Sequence, residues 1–234
     1  MASRPSISRR NMLRGAAALS ASAAAAGGGF VAVTPAFADA TTAVPEPEID
    51  STADWGANPD DGRLEMNNYP PTYLVVHHTE YPNSEDLSRE QAHYHAKQVQ
   101  DLHQIENGWP DTGYQFMISR GGYITEGRHR SLEGLRDGGM FVHGSHAGSP
   151  ANSESVAVSM EGNYHMDTQP PQAQWDALVE LLAHACTQYG IASDSDGFII
   201  GHRDAQDNRD CPGNNFYPRM DELRDAVRNR LSSS

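Results

Sequence analysis

The chain has 234 residues, enough for one domain with a real hydrophobic core and a terminal segment besides. Four of its 17 basic residues lie in the first 38 positions and all 31 acidic ones lie beyond them, so the rest carries a net charge of -18. A surface so acidic repels phosphate backbones and anionic lipids, which excludes nucleic acid and a membrane surface as partners.

The first 38 residues read as a signal peptide. Arg9-Arg10 is followed by Asn11-Met12-Leu13-Arg14, then an Ala/Gly/Ser stretch, then Ala36-Phe37-Ala38. The basic start, mildly apolar middle and Ala-x-Ala end fit a cleaved export signal, and the paired arginines resemble the twin-arginine type. The alternative is an uncleaved anchor, but the stretch is weakly apolar for one. Residues 39–52, rich in Thr, Pro, Glu and Ala, read as a solvated linker. The domain is expected over 53–231, secreted and monomeric.

Within the domain, Tyr73 to His77 is a short β-branched run and predicts a buried strand. Ser88-x-x-Gln91 is a capping-box pattern that predicts a helix towards His103, with Ala92, Ala96 and Val99 on its inner stripe. Phe116–Ile118 and Tyr123–Thr125 flank Arg120-Gly121-Gly122, a hairpin signal. A further strand is expected over Val156–Met160. Pro170-Pro171 opens a helix whose apolar face holds Trp175, Leu178, Val179, Leu182 and Cys186, with Gly190 as its stop. Phe198–Ile200 predicts a last strand, and Pro218 opens a last helix with Met220, Leu223, Val227 and Leu231 inward. Strands interleaved with helices argue for a single α/β domain with a central mixed β-sheet flanked by helices.

Eleven histidines are many, and the informative ones stand where strands end. His77 closes the first strand and His202 follows the last. Strand ends in such a sheet are where ligands bind. His77 and His78, as strand neighbours, point to opposite faces and do not easily share one metal. Cys211, in the turn Asp210-Cys211-Pro212-Gly213, is either a third ligand or half of a disulfide with Cys186. The place of Cys186 on an apolar helix face favours the ligand. Two nitrogens and one sulfur leave a fourth position open, the layout of a catalytic zinc.

Several blocks occur in order: Trp55-Gly56-Ala57, Val75-Val76-His77-His78-Thr79 and Gly108-Trp109-x-Asp111-x-Gly113-Tyr114-x-Phe116. Gly144-x-His146-Ala147-Gly148 with Asn152, Glu161-Gly162-Asn163-Tyr164, Gly201-His202-Arg203-Asp204 and Cys211-Pro212-Gly213 follow. This arrangement resembles the type 2 N-acetylmuramoyl-L-alanine amidase family, which includes a phage lysozyme and the peptidoglycan recognition proteins. The resemblance implies Zn2+ held by His77, His202 and Cys211, and cleavage of the lactyl–L-alanine amide of peptidoglycan. It implies Tyr114 beside the metal and Glu161 as the acid/base, and muropeptide contacts from Trp109, His146 and Asn152. Arg209 stands where the family often has Lys or Thr; it stays charged and suits oxyanion stabilisation. Gln115 stands where His or Asn is usual. Read by itself, Glu161 is equally a solvated strand-end carboxylate. The alternative function is a recognition module that binds peptidoglycan without cutting; such members typically lose the cysteine ligand, and this chain has Cys211.

Overall fold

The computed structural model describes residues 43–234, so the expected signal peptide lies outside the described residues. The central sheet has six strands in the order β1-β5-β4-β7-β3-β8. These are β1 (Ile49–Asp50), β3 (Tyr73–His78), β4 (Phe116–Ile118), β5 (Ile124–Glu126), β7 (Ser155–Met160) and β8 (Ile199–Gly201). Only β4 and β5 pair antiparallel; the other neighbours run parallel, with β3 between β7 and β8. A small second sheet joins β2 (Met66–Asn67) to β6 (Phe141–Val142).

The parallel strands are buried on both faces, as such strands must be. Leu74, Val76, Phe116, Ile118, Val156 and Val158 enter a large core with α4 (Gln172–Tyr189) and α6 (Met220–Ser232). On the opposite face Met117 packs with Trp55 and with Ala96 and Val99 of α1 (Arg89–Asp101). Fully burying such side chains contributes about 1.5–3 kcal/mol each. The helical stripes are close to those expected, except that Val179 and Leu231 are only partly buried while Leu181 and Ala185 are buried.

Ser88 caps α1, its Oγ accepting the Gln91 backbone N–H at 3.1 Å. The Gln91 side chain does not return to complete the box; it donates to Glu161. α1 continues into a π-helical turn, Leu102–Glu106. Short helices α2 (Ser131–Asp137), α3 (Ala151–Glu154) and α5 (His202–Ala205) complete the domain.

The linker expected over 39–52 is corrected from residue 43 onward. Val44 is buried in the core, and its carbonyl accepts the His184 Nδ1–H at 2.8 Å. β1 adds an edge strand to β5, and the Asp50 carboxylate takes Arg89 and His93. The segment's acidic residues form ion pairs, Glu48 and Asp50 with Arg89 of α1 and Glu46 with Arg136 of α2.

Candidate metal centre

The register of the sheet fixes where each histidine emerges. His77 lies level with Ser159 of β7, and Ser159 level with Met117 of β4. His77 therefore comes out on the α1 face, near the C-terminal ends of the parallel strands, and His78 on the other, as strand alternation requires. His202 begins α5 directly after β8. Cys211 follows on the next loop, brought close because position 201 lacks a side chain: a Cβ there would stand 2.9 Å from Pro212 Cδ.

These elements bring the ligand atoms of His77, His202 and Cys211 within 4.8 Å of one another. His77 Nδ1 lies 3.6 Å from Cys211 Sγ, and the His77 and His202 ring centroids are 4.4 Å apart. The His78 backbone N–H donates to Cys211 Sγ at 3.3 Å. Both cysteines are free, and Cys186 is buried in the core, so the disulfide alternative is set aside.

Burial, then the neighbouring His146 and His202, hold the His77 pKa well below the usual imidazole range. His202 is lowered too, first by burial. Both rings are thus neutral and offer lone pairs. Burial pushes the Cys211 thiol up to about 12, so the sulfur needs a cation beside it to become a thiolate. A neutral, desolvated set of two nitrogens and one sulfur could hold a metal ion.

A second group, His78, Glu80 and His165, also lies within 4.8 Å. However, His78 Nδ1 accepts the Tyr164 backbone N–H at 3.1 Å. Its proton therefore sits on Nε2, and that nitrogen has no lone pair to give a metal while the bond stands.

The Tyr114 ring stands 5.0 Å from that of His77. Its hydroxyl pKa is raised, chiefly by burial, so it stays protonated. The loop carrying it is anchored by His103, whose Nδ1 accepts the Gly113 N–H at 3.0 Å and whose ring stacks on Trp109.

Two cavities flank the centre and share Tyr114, His202 and Arg209. One, about 310 Å³, is lined also by His78, Glu80, His165 and Cys211. The other, about 450 Å³, is lined by Trp109, His146 and Asn152. The residues expected to touch substrate are thus gathered on one side of the metal group. Arg209 is exposed between the cavities, its Nε donating to Gln206 Oε1 at 3.2 Å.

Glu161 and His146 each have protein partners. Glu161 is buried. Its carboxylate accepts the Arg120 backbone N–H at 2.9 Å and the Gln91 amide at 2.8 Å, and it lines neither flanking cavity. It joins α1 to the β4–β5 turn and is not a solvated carboxylate. His146 lines the second cavity; its Nδ1 lies 3.1 Å from His77 Nε2, and its Nε2 is buried with no protein partner. Gln115 ties Val142 to Ala157, bridging β6 and β7 from within.

Gln206 was not anticipated. Its Oε1 lies 3.0 Å from His202 Nε2. The signal was available, since residues four apart face each other across a helical turn.

An open centre of two histidines and a cysteine, at the strand ends of a mostly parallel α/β sheet, is the layout of a metal-dependent hydrolase, or of a binding protein on the same plan. A family model described as N-acetylmuramoyl-L-alanine amidase matches residues 67–214, a span holding all three candidate ligands, and the chain belongs to that family. Peptidoglycan-recognition protein SC1a of Drosophila melanogaster is 32% identical over 168 residues, 71% of this chain and 80% of its own. Human N-acetylmuramoyl-L-alanine amidase is 29% identical over 171 residues, 73% of this chain and 27% of its own. Among solved structures, wild-type Drosophila PGRP-LB superposes with a TM-score of 0.62 at 30% identity, covering 74% of this chain and 92% of that one. A mutant of that protein, solved in complex with tracheal cytotoxin, is equally similar.

Proposed function

We propose that the chain is a zinc-dependent N-acetylmuramoyl-L-alanine amidase, hydrolysing the amide between the lactyl group and L-alanine in peptidoglycan. The observation that carries this reading is the intact His77, His202 and Cys211 set beside a protonated Tyr114. In tetrahedral zinc with ordinary bond lengths, a nitrogen and a sulfur ligand stand about 3.6 Å apart. The 3.6 Å between His77 Nδ1 and Cys211 Sγ fits this spacing. Zinc held there would supply Lewis acidity to a carbonyl and lower the pKa of water.

The side chains supply the rest. The Tyr114 O–H donates to the oxygen that gains charge as the amide carbonyl becomes tetrahedral. Arg209, between the cavities, adds positive charge there. The stacked Trp109 and His103 give the larger cavity an aromatic wall for a sugar or peptide. Water adds to the carbonyl carbon, the C–N bond breaks, and a lactyl carboxylate and the amine of L-alanine result.

Digestion of purified peptidoglycan tests the reading. New L-alanine amino ends should appear with the zinc protein and vanish on chelation. Binding without new ends would make the chain a recognition module instead. Export through a twin-arginine signal is part of the same proposal: replacing Arg9 and Arg10 by Lys should retain precursor in the cytoplasm, and unchanged secretion would refute it.

A further inference from the structure

A histidine that binds a metal through one ring nitrogen holds its proton on the other, and what accepts that proton fixes the ring. His202 has such a partner in Gln206. For His77 the question is sharper, because it is fully buried and its Nδ1 is the nitrogen facing Cys211. Its Nε2 then carries the proton, and the atom 3.1 Å away is Nδ1 of His146.

The surroundings of His146 hold that acceptor in place. Asn152 Oδ1 accepts the backbone N–H groups of both His146 and Ala147 at 2.9 Å, fixing the loop. Gly144 lies so close to the ring that a Cβ would stand 2.5 Å from His146 Cδ2 and 3.0 Å from Gln115 Nε2. The two imidazole planes meet at 89°. With Nδ1 accepting, the His146 proton lies on Nε2, a buried atom with no partner. The tautomers of both rings are therefore set in one direction.

We propose that His146 is the positioning residue for the metal ligand His77, accepting its Nε2–H through Nδ1 and so presenting Nδ1 of His77 to zinc. This rests on the zinc reading above. It assigns His146 to the ligand and leaves substrate contact on that side to Trp109 and the rest of the cavity wall. It also gives Asn152 and Gly144 a task, that of holding the His146 loop and making room for its ring.

The geometry yields a discriminating substitution pair. Asparagine places its side-chain oxygen where histidine has Nδ1; glutamine places it where histidine has Nε2. Zinc affinity is measured by chelator competition on the folded protein, with circular dichroism confirming the fold. His146→Asn should stay within about threefold of wild type, while His146→Gln and His146→Leu should bind zinc about 10–100-fold more weakly. The cobalt-substituted protein should show the same ranking in its visible spectrum, with Asn like wild type and Gln altered. Gly144→Ala, which keeps the imidazole but displaces it, should weaken zinc as His146→Gln does. A wild-type protein that binds no zinc would overturn the metal reading and this proposal together. Zinc binding in wild type that is unchanged in His146→Gln and His146→Leu would overturn this proposal alone. Rescue by Gln rather than Asn would do so too, and would assign the working nitrogen to Nε2.

Discussion

Tyr114 and Glu161 divide by what surrounds them. Burial keeps the phenol protonated 5.0 Å, ring to ring, from His77, whereas Glu161 has its two oxygens taken by Arg120 and Gln91. Tyr114→Phe should therefore lower turnover by roughly 10²–10³-fold with zinc retained, as loss of one oxyanion donor does. Glu161→Gln should leave turnover near wild type but cost about 1–3 kcal/mol of stability, since a buried donor loses its acceptor. The measurements are peptidoglycan turnover and thermal melts; loss of turnover in Glu161→Gln at unchanged zinc would restore it as the base. Glu80 and Asp210, which do line the cavity beside Cys211, are the carboxylates to replace if the pH profile keeps an acidic limb. The three candidate ligands were legible because each ends a strand or occupies a rigid turn. Glu161 was not, because its partners come from α1 and from the turn after β4, 70 and 41 residues away in the chain. No local pattern records such a pairing. The His146 contact with His77 was hidden for the same reason, spanning 69 residues.

At the level of elements, periodicity found what was long enough to have a period. β3, β7, α1, α4 and α6 were expected close to their observed positions because each carries an apolar run or stripe long enough to read, and β4 because a hairpin signal flanks it. β1, β2 and β6 have two residues each, too few to alternate, and α5 is a single turn. β1 was further disguised by Pro, Glu and Asp in its neighbourhood. Its anchoring makes a prediction. Burial alone would raise the Asp50 pKa, but hydrogen bonds from Arg89 and His93 outweigh it and hold the carboxyl below its usual range. A depressed folded-state pKa stabilises above the unfolded value of about 3.9 and ceases to do so as pH falls through the folded one. Asp50→Ala should thus lower Tm by several degrees near pH 6, at about 2–4 °C per kcal/mol. The gap from wild type should close as pH falls through the lowered folded-state pKa. A gap that persists unchanged into strong acid would mean packing, not charge, is what Asp50 contributes. Deleting residues 43–52 should lower Tm further, since Val44 leaves the core as well.

Across the molecule, on the peptidoglycan reading, the acidic balance beyond residue 38 sets how the protein meets that polymer. Stem peptides carry carboxylates, so like charges oppose encounter, and salt should relieve this as the Debye length falls from about 30 Å at 0.01 M to about 8 Å at 0.15 M. Initial rates on soluble muropeptides should show kcat/KM rising several-fold over that range with kcat steady. A fall instead would mean that Arg209 and its neighbours steer locally against the global charge. The sheet has a different whole-chain consequence. β3 pairs with β7, whose partner residues lie 82 positions later, and with β8, 125 later. Both contacts require large loops to close before any pairing is gained, so the central strand is completed late and folding is slow for a domain of this size. Since His202 directly follows β8, the three candidate ligands meet only after the most distant pairing has formed. On the zinc reading, metal uptake would report the end of folding rather than its beginning, and a chain that acquires zinc would already have been proofread for its topology.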